Sequence, residues 1–136
     1  DEEETAQLRT MLEEAKDYLL GFEWCHSITR EFFGLGVGGV VSVFLFELDA
    51  ENGVDHALWV IAGDLPSAYL VTDVADSPCA ALRIYCNLMD DWILAVLSGD
   101  ELSKEFPVAA APTTQNAELL SKKIAFLRAE VIPAFC

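Results

Sequence analysis

The chain has 136 residues, and we expect residues 1–136 to form a single domain that buries a sizeable core. Its 23 acidic residues outnumber its 8 lysines and arginines, and the net charge of −15 makes nucleic acid and anionic membrane surfaces poor partners. The apolar fraction of 53% is above the usual range and favours a surface that another subunit partly covers.

Residues 4–21 place apolar side chains at helical spacing opposite acidic ones, which predicts an amphipathic N-terminal helix that ends at Gly21. Residues 23–33 fit both a helical and an alternating pattern, and we favour a strand. The β-branched and aromatic run at 40–49 predicts a buried strand.

Asn52-Gly53 separates this strand from a second one at 57–63, which predicts a hairpin. A two-residue loop there would place Phe46 opposite Trp59, Phe44 opposite Ile61 and Leu45 opposite Val60. Both faces of the hairpin are apolar. The hairpin is therefore expected to lie centrally, with a layer packed on each face, or to meet a partner on one face.

Pro66 indicates a turn before a third strand at 68–73. Ser77 and Pro78 open a long helix that Gly99 ends, residues 100–114 form a linker, and the last helix runs from 115 to 132, where Pro133 stops it. The predicted fold class is α+β, with an N-terminal helix, a three- to four-stranded mainly antiparallel sheet and two C-terminal helices packed on the sheet.

The four cysteines at 25, 79, 86 and 136 form no C-x-x-C pair. Cys79 and Cys86 are two helical turns apart, about 10 Å, which is too far for a disulfide. We therefore expect reduced and mostly buried thiols in a cytoplasmic protein, with Cys136 the most exposed. No apolar run is long enough to span a membrane, and the first residues show no export signal.

The stretch GLGVGG at 34–39 matches the spelling of the dinucleotide-binding motif G-x-G-x-x-G. That motif requires a strand before the glycines and a helix after them, because the helix N-terminus receives the pyrophosphate. Here a strand follows. The glycines are better explained by a flexible or bulged turn that leads into a central strand.

Other chemical patterns also favour structural explanations. Cys25 and His26 point to opposite faces of a strand and cannot pair, and a zinc site would need the scattered set His26, His56 and Cys79. Residues 47–55 loosely resemble a calcium loop but place the glycine and the final acidic residue wrongly. We predict no catalytic residue, no metal site and no cofactor.

A pocket between the turn at 63–66 and the helix at 78–98 is the one candidate site, with Asp64, Tyr69, Asp91 and Trp92 as its lining. Asp64 is better explained as a turn residue whose carboxylate accepts backbone N–H bonds. Adjacent Asp90 and Asp91 diverge by about 100° on a helix and more often form a solvated face.

The block WVIAGDLPSAYLVTD, followed by SPCAALRIYCNLMDDWILAVLSG, resembles a family of small uncharacterised bacterial proteins. Their pattern is a W-V-x-x-G-D-L-P-x-A-Y block and then a helix with a central acidic-Trp pair. The resemblance covers most of the chain and implies a compact domain, without an assigned activity.

Two functions remain open at this point. The first is a non-enzymatic interaction protein that is dimeric or that binds a basic protein, in the manner of immunity proteins, which the net charge and the apolar excess favour. High charge also simply keeps a protein soluble. The alternative is a small enzyme or ligand-binding domain that uses the pocket beside the turn at 63–66.

Overall fold

The computed structural model describes residues 1–99, 108 and 110–136, so most of the predicted linker at 100–114 lies outside the described residues. Its centre is an antiparallel sheet with the strand order β1-β2-β3-β4. The strands are β1 (Cys25–Val37), β2 (Val41–Ala50), β3 (Ala57–Gly63) and β4 (Ala68–Val71), and the helices are α1 (Glu2–Leu20), α2 (Pro78–Ser98), α3 (Thr114–Phe126) and α4 (Ile132–Phe135). The predicted α+β class is confirmed.

Helices cover both faces of the sheet. One apolar core lies between the sheet and α1, and a second lies between the sheet and α2, α3 and the turn that follows α3. The first core consists of Met11, Ala15, Leu19, Cys25, Phe44, Phe46, Leu48, Ala50, Leu58, Val60 and Ala62. The second includes Val41, Val43, Trp59, Ile61, Leu82, Tyr85, Trp92, Leu120, Ile124 and Leu127. The prediction that a layer packs on each face of the β2–β3 hairpin is confirmed.

The register of the β2–β3 hairpin differs by one residue from the predicted one. Phe46 pairs with Leu58, Phe44 with Val60 and Leu45 with Trp59. The prediction was wrong because six residues, 51–56, connect the strands, and Val54 N–H donates to the carbonyl of Glu51 within that loop. A loop of this length does not set the register of a two-residue turn.

The helix boundaries follow the predicted capping residues at three ends. The Ser77 hydroxyl accepts a hydrogen bond from the N–H of Ala80 at 3.0 Å, and Gly99 ends α2 with φ +73°. Gly21 ends α1. At the fourth end the prediction was wrong, because the chain continues through a π-helical turn at Leu127–Val131 into α4, which contains Pro133. Proline lacks a backbone N–H and is tolerated in the first turn of a helix, which is where it lies in α4.

The segment 23–33 is part of β1, as favoured from the sequence. Gly34 and Gly36 lie inside this strand, where a β-carbon on Gly34 would come within 2.9 Å of Pro78 in α2. Gly39, with φ +75°, lies in the tight turn to β2. The predicted turn is confined to residues 38–40, with Gly39 in it, whereas Gly34 and Gly36 lie within β1 and permit close packing there. A strand rather than a helix follows the glycines, as predicted.

The turn between β1 and β2 meets the turn between β3 and β4 at one corner of the sheet. The Asp64 N–H donates to the carbonyl of Val40 at 3.1 Å, and Gly63 has φ +146°. A β-carbon on Gly63 would lie 2.5 Å from the Val40 oxygen. Only glycine fits here, both for its backbone conformation and for the space.

A disulfide joins Cys79, at the start of α2, to Cys136 after α4, with 5.9 Å between the Cα atoms. Cys25 and Cys86 are free and buried. The prediction of four reduced thiols was therefore wrong, and it was also the basis of the cytoplasmic prediction. Helix geometry excludes only a bond between the near pair, Cys79 and Cys86. The tertiary packing of α4 beside α2 brings together two cysteines that are 57 residues apart.

In the ranges that the structure describes, no helix is long and apolar enough to cross a membrane.

We expect Gly63→Ala to destabilise the protein by at least about 2 kcal/mol more than Gly53→Ala. Gly53 also has positive φ, +87°, but a β-carbon added to it would meet no atom within 4 Å, so its replacement carries a backbone cost without a clash like the one with Val40. Urea unfolding of both variants measures the difference. Equal losses of stability would contradict the tight corner.

Removal of the disulfide by Cys79→Ser or Cys136→Ser is expected to lower the free energy of unfolding by about 2–4 kcal/mol, because a long loop is no longer closed in the unfolded chain. The double variant should match either single one, since only one bond is lost. A reducing agent should lower the melting temperature of the wild type and leave the double variant unchanged. Four titratable thiols in the unreduced, unfolded wild type would show that the bond is absent.

Candidate functional site

The corner at Gly63–Pro66 is the centre of the predicted pocket. The side chain of Asp64 is 75% exposed, and its Oδ1 lies 3.3 Å from Nζ of Lys123 in α3. In the described part of the chain, the Asp64 carboxylate pairs with this lysine rather than with backbone N–H groups. Backbone groups hold the turn instead. The Asp64 N–H donates to the carbonyl of Val40, and the carbonyl of Pro66 accepts a hydrogen bond from the hydroxyl of Tyr85.

Among the described residues, three clefts meet at Asp64. One of about 380 Å³ lies between the turn and helices α2 and α3, with Trp92, Leu120 and Lys123 in its wall. A second of about 290 Å³ lies between Val40 and the Leu119–Leu127 face of α3 and the π-helical turn. A third of about 380 Å³ faces α1. Asp64 thus stands at the junction of three open surface depressions, with a lysine beside it.

The four predicted pocket residues are not brought together. Asp64 and Trp92 line the same cleft, but Trp92 is 1% exposed and serves mainly as a core residue. Tyr69 packs on the opposite, α1-side face of the sheet. Asp91 is exposed on α2. The alternation of strand side chains explains the separation, because Ala68 and Leu70 occupy the face toward α2 and Tyr69 between them points away.

Sequence reasoning missed two residues at this corner. The hydroxyl of Tyr85, buried on α2, donates to the carbonyl of Pro66 at 2.6 Å, and burial raises the pKa of this phenol well above its ordinary value. Lys123 was missed as the partner of Asp64. The helical pattern placed Tyr85 in the apolar stripe of α2, but no local signal links either residue to a turn far away in sequence.

The two neighbouring aspartates of α2 have different surroundings. Asp90 Oδ2 lies 2.6 Å from Nη1 of Arg128, whose Nη2 also donates to Oδ1 of Asn87 at 2.9 Å. Asp91 points to solvent. Asp90 therefore helps to hold the π-helical turn against α2, and the two carboxylates do not form an acid–base pair.

The free thiols lie in apolar surroundings. Burial raises the pKa of Cys25, and burial raises the pKa of Cys86 to about 11 despite the nearby guanidinium of Arg128. Both therefore favour the protonated thiol at neutral pH, whereas nucleophilic attack requires the thiolate. His26 is exposed while Cys25 is buried, as the strand argument predicted.

The metal patterns considered in the sequence have no counterpart in the part of the chain that the structure describes. No cluster of three or more histidine, cysteine or acidic side chains there has the geometry of a metal site. Cys79 of the scattered zinc set is in the disulfide, and the residues around Gly53 form the connection between β2 and β3.

An aromatic cluster joins α1 to β4 on the other face of the sheet. Phe22 stacks on Trp24 with 5.0 Å between the ring centres, and Tyr69 meets both rings edge-on at 5.3 Å. Tyr18 lies edge-on to Phe22. Its buried hydroxyl has no hydrogen-bond partner of good geometry among the described residues, and burial, followed by the nearby Tyr69, raises the pKa of Tyr18 to about 12.

We expect the stability of the protein to fall between about pH 10 and pH 12, partly because of Tyr18. The folded state favours the neutral phenol, so this contribution is complete below the ordinary pKa of 10.0 and is lost as the pH rises through about 12. Tyr18→Phe should reduce this pH dependence. The remaining part comes from Tyr85, Cys86 and Cys25, whose pKa values burial also raises and whose effect on stability has the same sign. Urea unfolding across this range measures it, and identical curves for both proteins would contradict the prediction.

No family model, no curated protein and no solved structure matches this chain. The resemblance to small bacterial proteins with the W-V-x-x-G-D-L-P-x-A-Y block therefore stays a prediction.

Proposed function

We propose that this protein is a non-enzymatic binding domain whose partner is a basic protein. The observation that carries the proposal is the arrangement of charge on α1. All the carboxylates of α1 are on exposed positions, and the buried side chains of Met11, Ala15 and Leu19 anchor the helix to the sheet. The carboxylates are those of Glu2, Glu3, Glu4, Glu13, Glu14 and Asp17, with Asp1 as the capping residue.

The charge is distributed unequally over the molecule. Residues 1–20 hold seven acidic and two basic residues, whereas residues 114–136 hold two acidic and three basic ones. One of the two basic residues on α1, Lys16, lies 3.2 Å from Glu31 of β1 and 4.0 Å from Glu13. The α1 face therefore carries a concentrated negative field, while the face formed by α3 and the turn after it does not.

A fixed acidic face supports fast and salt-sensitive association with a positively charged partner. The helix is already folded and its apolar stripe is already buried, so ordering α1 costs little on binding. Exposed carboxylates contribute mainly to encounter rate and specificity, each with about 0.2–1 kcal/mol when paired.

The test isolates the partner at low salt and measures its affinity for two variants that lose the same charge. The first variant is Glu13→Gln, Glu14→Gln, Asp17→Asn on α1. The second is Asp73→Asn, Asp76→Asn, Asp91→Asn, which neutralises three exposed carboxylates elsewhere. We expect the α1 variant to weaken binding about tenfold and to reduce its salt dependence, and the control variant to change the affinity by less than about threefold.

Light scattering at low and at physiological salt completes the test. A protein that retains no basic partner even at low salt, whether it is a monomer or a dimer, would overturn the proposal. So would equal losses for the two variants, since binding would then depend on net charge rather than on the α1 face.

A further inference from the structure

Strand β1 lies at the edge of the sheet and is the longest strand, with 13 residues. Among the strands described, it pairs with β2 on one side only. Alternate backbone N–H and C=O groups of an edge strand face outward, and such an edge accepts an added strand. The other edge strand, β4, has only four residues.

The pairing of β1 with β2 is regular in its middle and irregular on both sides. Register shifts lie between Ile28 and Arg30 and between Phe33 and Leu35. The stretch Arg30–Phe33 pairs without interruption with Phe44–Glu47. Bulges bend an edge and limit how far another strand can follow it. A short added strand fits this stretch better than a long one.

On the α1 side, the edge shows an aromatic ring among carboxylates. Phe33 is 57% exposed and meets the ring of Phe44 edge-on at 5.9 Å. The side chain of Glu31, two residues earlier on the same face, is 44% exposed. Nζ of Lys16 in α1 lies 3.2 Å from the carboxylate of Glu31 and 4.0 Å from that of Glu13, so these two carboxylates share one ammonium group and keep one net negative charge. An exposed ring beside acidic groups favours a lysine or arginine, whose apolar stem packs on the ring while its charge meets the carboxylates.

On the opposite side, the same stretch is already charge-balanced. The guanidinium of Arg30 lies 5.0 Å above the ring of Phe32, and its Nη1 lies 3.8 Å from Oε1 of Glu47. Phe32 is 39% exposed. A further basic group on this side would meet Arg30, so an apolar side chain against Phe32 fits better.

We propose that the Arg30–Phe33 edge binds an extended segment of the basic partner as a fifth strand, in which basic and apolar residues alternate. The alternation follows from the two faces, because successive residues of the added strand point to the α1 side and to the opposite side in turn. This inference rests on the proposed function and names the surface that performs it.

Charge decides between this occupant and a second copy of the chain. Two copies joined at β1 would bring together two molecules of net charge −15, and with them two acidic α1 helices. A basic segment instead meets the net negative charge that Glu31, Glu13 and Lys16 leave beside the edge.

The probe is a short synthetic peptide that alternates lysine and valine. Its control is the same peptide with every second amide N-methylated, which keeps the charge and removes the N–H groups that strand pairing needs. We expect the unmodified peptide to bind at least about tenfold more tightly, and its amide chemical-shift changes to centre on residues 30–33.

Two variants locate the binding. Phe33→Ser should weaken binding of the unmodified peptide by about tenfold or more, whereas Leu94→Ser should leave it unchanged. Leu94 is 65% exposed on α2, so its replacement removes a similarly exposed apolar side chain away from β1. Circular dichroism and melting temperatures confirm that both variants fold.

Equal affinity for the two peptides would overturn strand addition and leave the acidic binding function intact. Failure of the unmodified peptide to bind would also overturn it, whereas the proposed function is decided separately by the isolated partner and the α1 variant. A dimer of the wild type that Phe33→Ser converts to a monomer would assign the edge to a second copy and reject the basic segment.

Discussion

The burial of the two central strands on both faces is the constraint on which the rest of the structure depends. Val43 and Ile61 face α2 and α3, while Phe46 and Val60 face α1, and all four are almost fully inaccessible to solvent. A hairpin with two apolar faces is not stable with a single layer of helix, because one face would remain in water. The N-terminal helix and the C-terminal helices are therefore needed on opposite sides of the sheet.

This arrangement of one sheet between two helical layers determines which turns and which distant segments of the chain come into contact. At one corner, Gly63 allows the turn after β3 to reach the carbonyl of Val40, and Tyr85 of α2 fixes the same turn from the other core. At the N-terminal end of α2, the disulfide of Cys79 holds Cys136, which follows α4. Tyr18 and Cys86 pack in these two cores, and their pKa values are raised because burial disfavours their charged forms.

The two helical layers cover the middle of the sheet better than its β1 edge. Exposed Phe32 and Phe33 remain there, next to the acidic outer face of α1. The proposed acidic binding face and the proposed strand-addition site are therefore neighbours in the molecule. A partner that adds a strand at β1 would also lie within the field of the α1 carboxylates, which links recognition of shape to recognition of charge.

Local patterns in the sequence determined much of the fold. Apolar periodicity identified α1, α2 and the central strands, Ser77 and Gly99 placed the ends of α2, and the two apolar faces of the hairpin required two covering layers. Tertiary structure alone decided the pairing register after the six-residue loop, the Cys79–Cys136 bond, the contact of Asp64 with Lys123 and the placement of Tyr69 and Trp92 on opposite faces. The difference has one physical cause. Periodicity and capping act over a few residues, whereas these contacts join parts of the chain that only packing brings together.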